Sequence, residues 1–383
     1  MKATDAREAR EATEAAPENL LDMTPGEAER TVQHWLQRRG EPAYRAAQIV
    51  PRLWQRPVRS WAEASELPAA LREALEADFP LKRLTLGMRQ QSTDGTVKYL
   101  WRLEDGEAIE SVMIPEGSRR TLCISSQAGC PLRCAFCATG TMGLHRNLRA
   151  WEIAGQVREL LLEDPAGKPT NIVFMGMGEP LLNWPAVSPA LTVLNDPRGI
   201  GIGARHITVS TVGILPGMAE LARRPEQFTL AISLHSPTSA QRLGIMPIEK
   251  KYQLADVIEA TKQFKRRVTF EYVLIAGVND REEDITALAR LAKETGAMVN
   301  LLPLHPGGPG NLTPSSRNRQ HAFVAALKKK GVEAVLRRSR GLDIAAACGQ
   351  LRIAAEQGEV AADANGDVHQ PRRVRRGAQQ TDA

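Results

Sequence analysis

The sequence predicts an α/β protein: a partial (β/α)6 TIM-like barrel, preceded by a small N-terminal helical domain and a short β extension. Three observations predict it. From Thr121 onward, short β-rich runs alternate with amphipathic runs long enough to be crossover helices, the pattern of a parallel sheet. Residues 26–90 carry apolar side chains at helical spacing, and residues 91–120 switch to strand-like runs. No run of eighteen apolar residues occurs, so nothing reads as a membrane-spanning helix.

Each element follows in chain order. Residues 1–25 are rich in Ala, Glu and Arg without an apolar stripe, which predicts disorder. They lack the apolar centre of a secretory signal, so the expected location is the cytoplasm. Residues 28–40, 44–55 and 68–79 read as helices, with Trp54 and Trp61 in their core. KYLWRL (98–103) and AIESVMIP (108–115) form the extension, and the second carries Glu110 ahead of a Pro stop. The barrel, residues 121–355, takes strands at 121–126, 171–177, 206–211, 228–234, 268–275 and 298–304, with 334–339 as a later addition. Helices fall at 151–164, 216–224, 252–264, 281–295 and 316–330. Residues 356–383 read as a basic, flexible tail.

Chemistry in such barrels gathers at the C-terminal ends of the strands. Here a cysteine triplet follows the first strand and GMGEP the second, while Ser210, His235 and His305 fall at or just after later strands. Motifs and topology therefore agree on one face. The triplet, Cys130, Cys134 and Cys137, has C-x3-C-x2-C spacing inside GCPLRCAFCATG; Cys123 lies seven residues upstream and Cys348 far away in GLDIAAACGQL. Three thiolates leave one iron of a four-iron cluster open to a substrate or cofactor. An odd cysteine count in a chain without an export signal argues against a disulfide framework. A zinc site would need a fourth ligand, for which the local candidate is His145, eight residues past Cys137 and outside the usual spacing. Three unrelated buried thiols are the remaining alternative; three of five cysteines within eight residues of a Gly, Pro and Arg loop speak against it.

The formal charge is +6, and the excess is uneven. Residues 327–341 carry Lys328, Lys329, Lys330, Arg337, Arg338 and Arg340, and the tail adds Arg372, Arg373, Arg375 and Arg376. Such clusters suit the backbone of a polyanion. Each taken alone is equally a solvated helix face or a charged tail.

With these motifs in view, the chain resembles the RlmN/Cfr group of radical S-adenosylmethionine RNA methyltransferases. The likeness runs from about Ala43 to Leu351 and takes in PAYRAAQIVPRLW, ESVMIP, TLCISSQAGC, CAFCATG, HRNLRAWEI, FMGMGEPLLNW, TVSTVGILPGM, LAISLHSP, MPIEKKYQL, RRVTFEYVLIAGVND and GLDIAAACGQL. The triplet alone names a superfamily; Cys123 and Cys348 in their contexts narrow it to this group. The resemblance implies one four-iron, four-sulfur (4Fe-4S) cluster on Cys130, Cys134 and Cys137, with S-adenosylmethionine on the open iron. It implies that Gly178 and Glu179 meet the methionine amino group and that Ser210, Ser233, Leu234 and His235 line the rest of the cofactor. His305 stands where the group usually has Asn. A neutral imidazole offers each ring nitrogen one role, donor or acceptor, so His305 either replaces that amide or merely packs in its Gly/Pro loop.

The implied reaction consumes two S-adenosylmethionines per turnover. Cys348 accepts a methyl group from the first; a 5′-deoxyadenosyl radical from the second takes hydrogen from the S-methyl group, and the carbon radical adds to adenine. Glu110 is the implied proton acceptor and Cys123 the thiol that frees the product, leaving a transient disulfide. The residues alone would pair Glu110 with Arg119 or Arg120 and treat Cys348 as a small residue in an Ala-rich segment. The implied substrate is C2 of an adenosine in the peptidyl-transferase region of 23S rRNA, with the adenosine 3′ to the anticodon of tRNA as a second target. A flavodoxin or ferredoxin as electron donor and a cytoplasmic monomer belong to the same expectation, with Arg146, Arg149 and the helical domain as RNA contacts. The alternatives are Cfr-like methylation at C8, a radical enzyme acting on a small molecule or protein, and a zinc-dependent RNA-binding protein. SLHSP, MPIEKKYQL and the helical N-terminal domain resemble RlmN-type sequences more closely, which favours C2.

Overall fold

The computed structural model describes residues 19–305, 308 and 310–351. Most of the segment expected to be disordered, and the basic tail with Arg372, Arg373, Arg375 and Arg376, lie outside the described residues. Helix α1 (Pro25–Arg38) starts at Thr24, whose backbone N–H and hydroxyl donate to the Glu27 carboxylate at 2.8 and 2.6 Å. That pair of bonds, with Pro in the first turn, fixes the helix start. Two short turns (Ala46–Ile49 and Pro51–Trp54) and helix α2 (Ala69–Asp78) close the helical layer. Trp54 and Trp61 are fully buried there, and the Trp61 indole N–H donates to the Phe79 carbonyl at 2.7 Å.

A ten-stranded sheet forms the rest. Strands β1 (Thr85–Gln91), β2 (Val97–Arg102), β3 (Ala108–Glu116) and β4 (Arg119–Cys123) run antiparallel. Strands β5 (Gln127–Gly129) and β6 (Leu144–Asn147) form a separate pair that brackets the cysteine triplet. Strand β4 also pairs parallel with β7 (Asn171–Phe174), and β8 (Ile207–Thr211), β9 (Thr229–Ser233), β10 (Thr269–Leu274), β11 (Met298–Pro303) and β12 (Ala334–Leu336) continue the parallel series. Helices α3 (Ala150–Glu163), α4 (Trp184–Asn195), α5 (Leu215–Arg223), α6 (Leu254–Thr261), α7 (Glu282–Thr295) and α8 (Arg317–Lys329) make the crossovers. This is the α/β partial barrel that the sequence predicts: β1 and β12 end the sheet without pairing to each other.

Strand period sets the two faces. Leu122, Ile172, Val209, Ile232, Phe270 and Leu301 are buried on the helix side. Their neighbours Cys123, Val173, Ala231, Glu271 and Asn300 line a cavity of about 590 Å³ inside the barrel. The helical layer is joined to this barrel through Arg158 of α3, whose buried guanidinium donates to the Leu53 carbonyl at 2.9 Å and the Val58 carbonyl at 2.6 Å. Among the described residues no helix is long and apolar enough to cross a membrane.

Candidate active site

The triplet loop leaves the end of β4 and is folded by its own backbone. Cys130 N–H donates to the Gly143 carbonyl at 2.7 Å and Cys137 N–H to the Cys134 carbonyl at 3.2 Å. Cys130 and Cys134 are buried and Cys137 is half-buried. Burial pushes the Cys130 thiol up to about 12 and Cys134 higher still, with the neighbouring thiols and Glu179 adding to the rise. Sulfurs gathered in so poor a place for bare negative charge suit a bound cation that replaces their protons. Soft thiolates are the donors an iron–sulfur cluster takes, and in a cluster each thiolate holds its own iron. The described residues contain no group of three His, Cys, Asp or Glu placed to hold a single metal ion. His145, the candidate fourth zinc ligand, has its Nδ1 on the Glu107 carboxylate at 2.8 Å. The donor set of the loop, three soft thiols with His145 turned to Glu107, is what suits a cluster.

GMGEP follows β7 and packs against this loop. Gly178 has φ of 98°, and a Cβ there would stand 2.5 Å from the Gln127 side chain, so only glycine fits. Gln127 takes the Glu179 N–H at 2.8 Å and donates to Asn147 at 2.8 Å, tying GEP to the strand pair around the triplet. The Glu179 carboxylate is fully buried and accepts from Leu181 N–H at 3.1 Å and Val212 N–H at 2.9 Å. Burial lifts it to about 7 against the pull of those bonds. Nearby, the Ser210 and Ser233 hydroxyls stand 3.4 Å apart.

Leu234 is buried. His235, at φ 54°, is locked: its Nδ1 accepts from Val273 N–H at 3.1 Å and its carbonyl from the Asn279 amide at 2.7 Å. The ring meets Phe136 of the triplet loop edge-on at 4.6 Å. Burial depresses its basicity to about 3, so it is neutral and joins strand ends to cysteine loop. His305 lines the cavity with Nε2 2.9 Å from the Ser339 hydroxyl.

Cys348 arrives from the other end of the chain, on the segment after β12. That segment is held on two sides. Toward the sheet extension, Ser92 hydroxyl and Thr93 N–H donate to Asp343 at 2.5 and 3.1 Å, and Gly341 N–H donates to Asp94 at 3.0 Å. Desolvation opposes ionisation of Asp94, but bonds from Thr96, Gly341 and Ser92 outweigh it and hold the carboxyl down at about 2. Toward the triplet, Ala138 N–H donates to the Gly349 carbonyl at 2.8 Å and the Thr139 hydroxyl to the Leu351 carbonyl at 2.7 Å. Cys348 is exposed, Cys123 is buried, and both line the same cavity as free thiols. Burial, reinforced by the charge of Cys348, pushes Cys123 up to about 12, while Arg337 pulls it down.

Arg337 is the residue that sequence reasoning missed. It reads as part of a surface basic cluster, yet it lines the cavity, and its charge faces Cys348, Glu271 and Cys123. No local signal in the sequence singles it out: the whole run from Val335 to Arg340 borders the cavity, and Arg337 follows directly after β12. Arg146 is likewise committed elsewhere, to Asp105 and to Glu152 at 2.7 and 2.8 Å, rather than left free for an RNA backbone. Glu110 is fully buried on β3 and pairs with neither Arg119 nor Arg120; its partner is Lys98, with Nζ 3.3 Å from Oε1. The Arg120 Nε–H instead donates to the Lys168 carbonyl at 2.9 Å.

Comparison with known proteins gives a consistent set. Residues 124–289 match the model of the Radical SAM superfamily. A protein of Gemmatimonas aurantiaca named probable dual-specificity RNA methyltransferase RlmN is 60% identical over 92% of this chain and 98% of its own length. One of Anaeromyxobacter dehalogenans, named dual-specificity RNA methyltransferase RlmN, is 44% identical over 83% of this chain and 88% of its own. The crystal structure of a radical SAM methyltransferase from Sphaerobacter thermophilus superposes with a TM-score of 0.81 at 41% identity, covering 88% of this chain and 99% of that one.

Proposed function

We propose, on the premise that this chain belongs to the RlmN family of radical S-adenosylmethionine RNA methyltransferases, that it methylates C2 of adenosine in the peptidyl-transferase region of 23S rRNA. The adenosine 3′ to the anticodon of tRNA is a second target. The observation that carries this reading is the meeting of two free thiols from opposite ends of the barrel chain, Cys123 and Cys348, in one cavity beside the cysteine loop. The three-cysteine loop would hold one 4Fe-4S cluster, and Gly178, Glu179, Ser210, Ser233, Leu234, His235 and His305 would receive S-adenosylmethionine, two per turnover. When bound, these groups supply a methyl cation equivalent and a hydrogen-abstracting radical. An electron donor of the flavodoxin or ferredoxin kind, and a cytoplasmic monomer, complete the reading.

The chain's own residues then act in order. Cys348, the exposed thiol, takes the methyl group by displacement. After that methyl carbon has lost a hydrogen atom and bonded to adenine C2, the one unpaired electron of the adduct would return to the bound cluster, and Glu110 would accept the C2 proton, which restores the aromatic ring. Cys123 attacks the Cys348 sulfur: the S–S bond forms, the S–C bond breaks, and its electron pair goes to the product carbon, which a proton completes as methyl. Thiols of the cell reduce the Cys123–Cys348 disulfide. An adenine must be unstacked to reach this cavity, at a cost of a few kcal/mol.

The test is anaerobic reconstitution with iron, sulfide, S-adenosylmethionine, a reductant and an rRNA fragment, followed by mass spectrometry of the nucleosides. The expected product is 2-methyladenosine. Finding 8-methyladenosine would overturn the regiochemistry, and a Cys348→Ala variant of full activity would overturn the carrier mechanism.

A further inference from the structure

We propose that Lys98 is the positioning residue of the proton acceptor: its ammonium holds the Glu110 carboxylate charged and oriented behind the inner wall of the barrel. The proposal rests on the reading of Glu110 as the group that takes the adenine C2 proton.

The observations are geometric. Lys98 and Glu110 are 4% and 0% exposed, and Nζ stands 3.3 Å from Oε1. Strand register puts Lys98 opposite Val112, and Val112 opposite Cys123, so the three lie in one row across β2, β3 and β4. Glu110 is two residues from Val112 along β3 and shares its face. Val112 and Cys123 line the reaction cavity. Ammonium, carboxylate and releasing thiol therefore stand on the same side of adjacent strands. The backbone of Glu110 is fixed as well, since its carbonyl accepts from the Ser125 hydroxyl at 2.6 Å.

A buried ion pair of this kind is a poor stabilising device, because desolvation of the two charges offsets much of their attraction, and an apolar pair fills such space as well. It is a good way to keep a base ready. A carboxylate buried alone favours the neutral acid, which cannot accept a proton. Beside an ammonium it stays charged without water. In the step it serves, the adduct gives up its one unpaired electron, for which a bound iron–sulfur cluster would be the acceptor, the C2 proton passes to a Glu110 oxygen, and the C–H electron pair stays with the ring. Lys98 touches neither substrate nor reacting atom and acts through Glu110.

The test uses the reconstituted full-length enzyme with an rRNA fragment and reads two quantities: 5′-deoxyadenosine formed, and covalent enzyme–RNA adduct on a denaturing gel. Glu110→Gln should form 5′-deoxyadenosine but slow adduct breakdown at least about a hundredfold. Lys98→Met should do the same, and Lys98→Arg should recover most of the breakdown rate. The double variant Lys98→Met with Glu110→Gln, which leaves no buried charge unpaired, should be no slower than Glu110→Gln alone; it keeps the test decisive if Lys98→Met does not fold. Wild-type breakdown in Lys98→Met, loss of 5′-deoxyadenosine formation instead of adduct accumulation, or a double variant slower than Glu110→Gln would overturn the role of Lys98. If Glu110→Gln itself breaks down adduct normally, the base assignment is what fails.

Discussion

Five cysteines occupy three chemical environments, and burial separates them. Cys123, held up at about 12, is protonated at neutral pH, so in the proposed mechanism it would attack through a small thiolate fraction that grows with pH. Adduct breakdown in single-turnover reactions should therefore rise about tenfold per pH unit between about 7 and 9, read by rapid quench. Arg337 pulls that thiol down. Arg337→Met should slow breakdown about tenfold at fixed pH, and Cys123→Ala should stop it with adduct trapped. At this scale the cysteines were legible in the sequence because spacing is a local property. Arg337 was not. Its Lys/Arg-rich neighbourhood reads as solvent-facing, and only the fold brings its charge against Cys348, Glu271 and Cys123. The partner of Glu110 was missed for the same reason: Lys98 is twelve residues away in sequence and becomes its neighbour through strand register.

Elements with a clean apolar rhythm were legible, and those without it were not. Strand β1 is polar and contains Gly87, so it has no alternation to detect; it exists because β2 pairs with it. It begins at Thr85, inside the segment that reads as helical. Helix α4 is not among the helices the sequence predicts; it contains Pro185 and Pro189, the first of them in its opening turn. The turn between β1 and β2 is the element with the clearest consequence for the site, since it binds the segment that carries Cys348. Asp343→Ala should lower S-methylation of Cys348 about tenfold, by loss of two or more hydrogen bonds, while iron content stays unchanged; mass spectrometry of the Cys348 peptide checks it. Asp94, held at about 2, contributes stability that is full above about 4 and lost as pH falls toward 2. Hydrogen exchange at Gly341 should lose protection over that window.

On the scale of the whole molecule, the alternation of strands and helices was enough to give the open parallel barrel, because each crossover is imposed by handedness and connection length. The coupling of helical layer to barrel was not legible. Part of it runs through Arg158, an arginine in the middle of a helix, which buries its guanidinium to reach two carbonyls of the other layer. Arg158→Leu should destabilise the fold by about 2–4 kcal/mol, seen as a lower urea midpoint.

The sheet order also says where this wall is thinnest. Around most of its circumference the barrel is held by backbone ladders, but between its first and last strands the gap is spanned by Ser92, Thr93 and Asp94 reaching Gly341 and Asp343. Each such bond is worth about 0.5–3 kcal/mol, and parting them breaks no strand pairing. The gap is closed like a cuff with a clasp, and the clasp is fastened to the segment that carries Cys348. The bonds that close this gap are thus also one of the two sets that fix the segment of Cys348, the thiol that in the proposed mechanism would carry the methyl group.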